Sequence, residues 1–179
     1  MSEVPAIRNA TDYTKNASMP GTLFPDGLVS EFSTDDFDEL AEASLNWDQE
    51  YSQIQPGSFT GRLFQVCTSH MQINREYWSK GLQTRGSAPP GAFVFAIIIN
   101  PEADTYFCGN PKDSQHLIFN PEGREFEFIS KGACEMLIVS IDDTLLDEKK
   151  CPHWLNFLRQ GGAPSLIPSH NGPYHRSGN

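Results

Sequence analysis

From residue 58 to about residue 140, apolar and polar positions follow the short period of β-strands rather than the 3.6-residue period of helices. Residues 58–67 and 71–78 are two such runs joined by Thr68-Ser69-His70, the pattern of a hairpin. Residues 92–100 are apolar almost throughout, which predicts a strand covered on both faces. Shorter runs at 105–108, 115–119, 124–129 and 134–140 complete the series. Turns at Asn110-Pro111, Asn120-Pro121-Glu122-Gly123 and Lys131-Gly132 divide them, and 86–91, with Pro89-Pro90, is another. Short strands at regular spacing with Gly/Pro turns predict a sandwich or a barrel.

Helical spacing flanks this block. Ser33-Thr34-Asp35-Asp36 reads as a helix start, with Ser33 or Thr34 as cap and the acidic side chains near the positive end of the dipole. Phe37, Leu40, Ala41, Leu45 and Trp47 form its apolar stripe. After the strands, 142–148 and 152–159 are predicted helices, the first capped by Asp142 or Asp143 and the second opened by Pro152. Residues 1–30 are polar and broken by proline and glycine, and so are 161–179. The expected organisation is a lead-in over 1–30, one domain over 31–160 and a loose tail over 161–179.

Charge narrows the choice of partners. The formal net charge is −10 over 179 residues, and the basic residues are scattered. A protein that grips phosphates shows a basic face, so direct DNA binding by this chain is not expected. No apolar run reaches the roughly 20 residues of a membrane span. The start, Met-Ser-Glu-Val-Pro, has neither a basic n-region nor an apolar h-region, so a cytoplasmic location is expected. The four cysteines, Cys67, Cys108, Cys134 and Cys151, form no CxxC pair, and the first three lie in apolar surroundings that suit them as reduced filler.

Candidate chemistry is sparse. No His-x-His occurs on any strand, and His70, Glu76 and His116 make a weak three-ligand set, so no metal and no other cofactor are expected. There is no Gly-x-Ser-x-Gly elbow, no P-loop and no Gly-x-Gly-x-x-Gly. The most informative stretch is Asn74-Arg75-Glu76-Tyr77-Trp78. Arg75 and Tyr77 share one strand face, Glu76 and Trp78 the other, and one of the two should look inward. The expected ligand site takes Arg75 as donor fork and Tyr77 as aromatic hydroxyl, with Phe93 and Phe95 as apolar walls. With the opposite register, Glu76 and Trp78 replace the first pair. Trp154, Leu155 and Leu158 fall on or near one face of the last predicted helix, an apolar strip that suits homodimerisation or docking on the barrel.

Several stretches together resemble the N-terminal effector-binding domain of AraC-type transcriptional regulators, in particular the ethanolamine-operon-regulator-like branch. They are Asp36-Phe37-Asp38-Glu39, Trp47-Asp48-Gln49-Glu50-Tyr51, residues 57–63, Asn74-Arg75-Glu76 and Gly123-Arg124-Glu125-Phe126-Glu127, within about 31–150. The resemblance implies a mainly β, cupin-like barrel or jelly roll with one N-terminal helix and C-terminal dimerising helices. It implies a small-molecule effector bound in the lumen without metal, and no enzymatic activity. In the family a helix-turn-helix half follows, whereas here the segment after Arg159 is short, polar and rich in proline and glycine. Two other readings stay open. A stand-alone cupin enzyme, an isomerase or oxygenase, needs His70, His116 and Glu76 to converge. An interaction module needs a lumen filled by side chains.

Overall fold

The computed structural model describes residues 22–145 and 165–168. Among these, two antiparallel sheets face each other. The larger holds seven strands in the order β1 (Val29–Thr34), β3 (Gly61–Thr68), β4 (Met71–Trp78), β11 (Cys134–Asp142), β6 (Ala92–Ile98), β9 (His116–Asn120) and β12 (Ser165–Pro168). The smaller holds five, in the order β2 (Asp48–Gln53), β5 (Leu82–Ser87), β10 (Glu125–Ser130), β7 (Thr105–Phe107) and β8 (Asn110–Lys112). The architecture is mainly β, as expected, but the sheets do not close into one barrel.

The core lies between the sheets. Leu63, Trp78, Ala96, Ile98, Ile118 and Met136 come from the larger sheet, and Tyr51, Leu82, Phe107 and Phe128 from the smaller. One helix, α1 (Phe37–Ala43), inserts Leu40 and Ala41 into the same cluster. Its cap is Asp36, whose carboxylate accepts from the backbone N–H of Asp38 at 2.8 Å and of Glu39 at 3.3 Å. These are backbone donors that the first turn leaves without an intrahelical partner. The predicted cap residues, Ser33 and Thr34, are instead the end of β1.

Several elements depart from the expected pattern. The helix ends at Ala43, and Trp47 lies beyond it, just before strand β2. β5 runs through the start of the stretch read as a turn. The packed part of the chain also begins before residue 31, since Phe24 and Leu28 are buried. Asp142 ends β11 rather than opening a helix, and only a single 3-10 turn, Asp143–Leu145, follows it. Asp142 still acts as a cap, accepting from the backbone N–H of Thr144 at 2.9 Å. C-terminal helices are therefore not part of the described fold; the rest of the first and all of 152–159, with Trp154, Leu155 and Leu158, lie outside the described residues. No helix among the described residues is long and apolar enough to cross a membrane.

β7 and β8 are joined by two residues, Cys108 and Gly109, both at positive φ, 48° and 76°. That is the backbone of a tight hairpin turn whose twist matches the strands it joins. A second close approach fixes β2 against β5. A side chain on Gly86 would run into the Asp48 carbonyl oxygen, and its Cβ would lie 2.8 Å from the Gln49 Cα. Both obstacles are backbone, so Gly86→Ala should cost about 1–3 kcal/mol through forced separation of β2 from β5. Urea unfolding of parent and variant measures this; a difference within about 0.5 kcal/mol would show that β2 yields freely at this point.

Candidate functional site

Strands put alternate residues on opposite faces, and antiparallel partners share a face. β4 therefore presents Gln72, Asn74, Glu76 and Trp78 to the interior, all at most 2% exposed. Arg75 and Tyr77 point to the outer side of the sheet. Arg75 is exposed and its Nε donates to Glu135 at 2.6 Å. Tyr77 lies under Arg62, whose guanidinium carbon is 4.8 Å from the ring centroid. The expected inward placement of this pair is thus corrected by one residue along the strand. Phe93 and Phe95 also leave the interior to Val94 and Ala96. They pack with Phe119 on the outer side, Phe93 stacked at 6.0 Å and Phe95 tilted at 5.1 Å between centroids. The four residues expected to form the ligand site do not come together.

What the interior holds is unusually polar. Gln65 Nε2 donates to Asn74 Oδ1 at 3.0 Å. Gln72 accepts from the Trp47 indole N–H at 2.9 Å and donates to the Leu45 carbonyl oxygen at 2.9 Å. The Trp78 indole N–H donates to Ser130 Oγ at 2.7 Å, tying the two sheets together. Buried polar side chains cost free energy unless they are paired in this way.

Glu76 is the exception that marks the site. It is 2% exposed, and only one of its oxygens has a described partner, the Tyr51 hydroxyl, which donates to Oε1 at 2.7 Å. Gln49 supports Tyr51 from the other side, donating from Nε2 to its oxygen at 3.1 Å. Burial pushes the Glu76 carboxyl up to about 7, and the Tyr51 hydrogen bond pulls back only in part. Burial, and then the nearby Glu76 charge, hold Tyr51 well above its ordinary value and push Cys134 up to about 12.

Glu76 lines a cavity of about 50 Å³ between the sheets, room for a ligand of a few heavy atoms. Its walls are Trp47, Tyr51, Trp78, Phe107, Phe126 and Phe128, with Val94, Ala96, Ile118, Met136 and Ile138 behind. The aromatic rings meet edge-on or tilted in several pairs, Trp78 with Phe128 at 6.0 Å and Trp47 with Phe126 at 5.9 Å. Three further polar side chains line the cavity, Gln49, Thr84 and Asn120, and neither Thr84 Oγ1 nor Asn120 Oδ1 has a hydrogen-bond partner among the described residues.

His70 and His116, which an enzyme reading brings together with Glu76, each turn to a carboxylate of their own. His70 Nδ1 lies 2.8 Å from Asp142 and His116 Nδ1 2.7 Å from Asp113. Among the described residues no three His, Cys, Asp or Glu side chains cluster closely enough to hold a metal ion.

No protein-family model matches the chain. Among solved structures, the AraC-like transcriptional activator CuxR matches with a TM-score of 0.52 at 12% identity, over 68% of this chain and 50% of that one. The chain thus spans half the length of that activator. Lower similarity extends to the cupin domain of Cnp3 from Schizosaccharomyces pombe, with a TM-score of 0.37 at 10% identity over 71% of this chain and 95% of that one. An RmlC-like cupin from Shewanella frigidimarina NCIMB 400 matches with a TM-score of 0.37 at 10% identity, over 52% of this chain and 84% of that one. Over the matched part the chain shares the fold of the activator, a β domain of two facing antiparallel sheets.

The raised Glu76 group makes stability depend on pH. A carboxyl that titrates near 7 when folded and near its ordinary 4.5 when unfolded favours the native state while protonated. That advantage is fully present below about pH 4.5 and is lost as the pH rises through about 7, by about 3 kcal/mol in all. Tyr51 and Cys134, the titratable groups facing Glu76, stay neutral throughout this window. Glu76→Gln should flatten the profile and be more stable than the parent at pH 8. Urea unfolding at pH 5 and pH 8 reads the difference, and an equal pH slope in parent and variant would place the titration elsewhere.

Proposed function

We propose that this chain is the effector-sensing domain of an AraC-type transcriptional regulator, taking up a small molecule between its sheets and not converting it chemically. The observation that carries this reading is Glu76, buried against a small aromatic-walled cavity with one oxygen free of any described partner. A ligand in the cavity can complete the pairing of that oxygen with a donor of its own. The fold shared with an AraC-like activator supports the regulatory context, and the sequence motifs favour the ethanolamine-operon-regulator-like branch. The open cavity disfavours a module whose interior is packed solid. In the same reading, Trp154, Leu155 and Leu158 carry self-association, and contact with DNA belongs to a portion of the regulator other than this domain.

A thermal-shift screen with small cationic, neutral and anionic molecules of a few heavy atoms tests the binding claim. At least one class should raise Tm, and Ala96→Leu, which adds bulk to the cavity wall, should remove the shift while the variant still unfolds cooperatively. The bound compound should be recovered unchanged after long incubation. Its consumption by the protein would overturn the sensor in favour of a cupin enzyme.

A further inference from the structure

The outer face of the larger sheet is apolar, and its exposure is uneven. Phe64 and Ile97 share one row of that face and are 40% and 37% exposed. Two residues further along β6 the row of Phe95 and Phe119 begins, and two further still stands Phe93. Phe93 and Phe119 are each only 2% exposed. Among the described residues, Phe95 is the one other apolar side chain that packs on this pair. Neighbouring rings cover each other's edges. A side chain that stands off a sheet loses its last exposure only when a further layer lies over it. The smaller sheet and α1 are not that layer, because both pack on the inner face. Phe93 and Phe119 are therefore covered by something else, and the cover stops short of Phe64 and Ile97.

The course of the chain says what that cover is. β11 ends at Asp142, opposite Ala92 at the start of β6, and β12 begins at Ser165, opposite Phe119 near the end of β9. Neighbouring strands run antiparallel through β11, β6, β9 and β12. Both points thus lie at the same end of the sheet, the end that carries Phe93. Three strand spacings separate them, roughly 14 Å. About five extended residues would bridge that gap. Residues 146–164 are far more than the crossing needs, and they include Trp154, Leu155, Phe157 and Leu158. At helical spacing these four span an arc of about 160°, wider than the roughly 100° stripe that one contact covers. Phe157 and Trp154 fall on one side of the arc, Leu158 and Leu155 on the other.

We infer that residues 146–164 of this same chain lie across the outer face of the larger sheet, with Phe157 and Trp154 seated on Phe93, Phe95 and Phe119. The Leu158–Leu155 side of the arc is left for self-association. The inference goes beyond the sensor reading and does not depend on what the cavity binds. It does give the cavity a neighbour. β6, β9 and β11 present Val94, Ala96, Ile118 and Met136 to the interior, and the same strands carry the seat on their other side. The seated segment is one sheet thickness from the interior site.

A double-mutant cycle on the full chain, read by urea unfolding, tests the seat. Phe157→Ala and Phe95→Ala should each raise the unfolding equilibrium constant about tenfold or more. The double variant should raise it by clearly less than the product of the two, because the second truncation finds the contact already lost. Phe64→Ala, at the open end of the face, should combine with Phe157→Ala as a simple product. Phe119→Leu takes the place of Phe95→Ala should that variant fail to fold, and Trp154→Ala gives a second reading from the side of the segment. The shortfall should stay the same over about a hundredfold range of protein concentration. A shortfall that appears only at the higher concentrations would mean that the segment seats on a second copy, and the assignment to the same chain falls. If neither Phe157→Ala nor Trp154→Ala couples to the sheet variant, or if Phe64→Ala couples as strongly as Phe95→Ala, the inference is overturned.

Discussion

A carboxylate cannot be taken out of water without compensation, and the two sheets meet around the way Glu76 is compensated. Its partner, Tyr51, comes from β2 of the smaller sheet, while Glu76 itself stands on β4 of the larger. The bond between them spans the sandwich at its middle, and the Trp78–Ser130 bond repeats the link two residues further along β4. Tyr51 is held in turn by Gln49, on the segment that packs against α1. The helix, the smaller sheet and the larger sheet are thus tied to one polar centre, with the apolar cluster packed around it.

That centre explains why the inner face of β4 carries glutamine, asparagine and glutamate where an ordinary sandwich would carry valine or leucine. Row by row across the large sheet, Gln72 stands opposite Ser140, and Asn74 opposite Gln65 and Ile138. Loops supply what the strands lack: the Leu45 carbonyl oxygen and the Trp47 indole satisfy Gln72. The outer face takes apolar residues in compensation, including Phe64 and Ile97, 40% and 37% exposed. The usual assignment of polar outside and apolar inside is inverted over part of this sheet.

This inversion governs how much of the structure was legible in the chain. The strands at 61–67, 71–78, 92–98 and 134–140 stand out because their apolar content exceeds any loop's. β2 and β5 do not, since Asp48–Gln53 buries only Tyr51 fully and Leu82–Ser87 only Leu82 and Thr84; their identity rests on backbone pairing with each other and with β10. The side of β4 that faces inward was the hardest to read. Met71 and Ile73 share a face with Arg75 and Tyr77, so the more apolar start of the strand argues for the wrong side. Only the partners of the other face, Trp47, Gln65, Tyr51 and Ser130, decide it, and they lie 9 to 52 positions away along the chain. Glu76 and Trp78 were visible as the alternative pair. Thr84 and Asn120 carried no signal at all, because a lone polar residue in a short strand looks the same whether it meets water or a ligand.

Of the three tryptophans in the chain, two flank the interior cavity. Trp78 is 2% exposed and sits on the same strand face as Glu76, while Trp47 closes the side shared with Phe126. An indole's emission responds to the charges and the water around it, so the protein carries its own optical gauge. Filling the cavity, or ionising the carboxyl beside it, alters the field across these two rings, and the state of the interior becomes readable by fluorescence without any attached label.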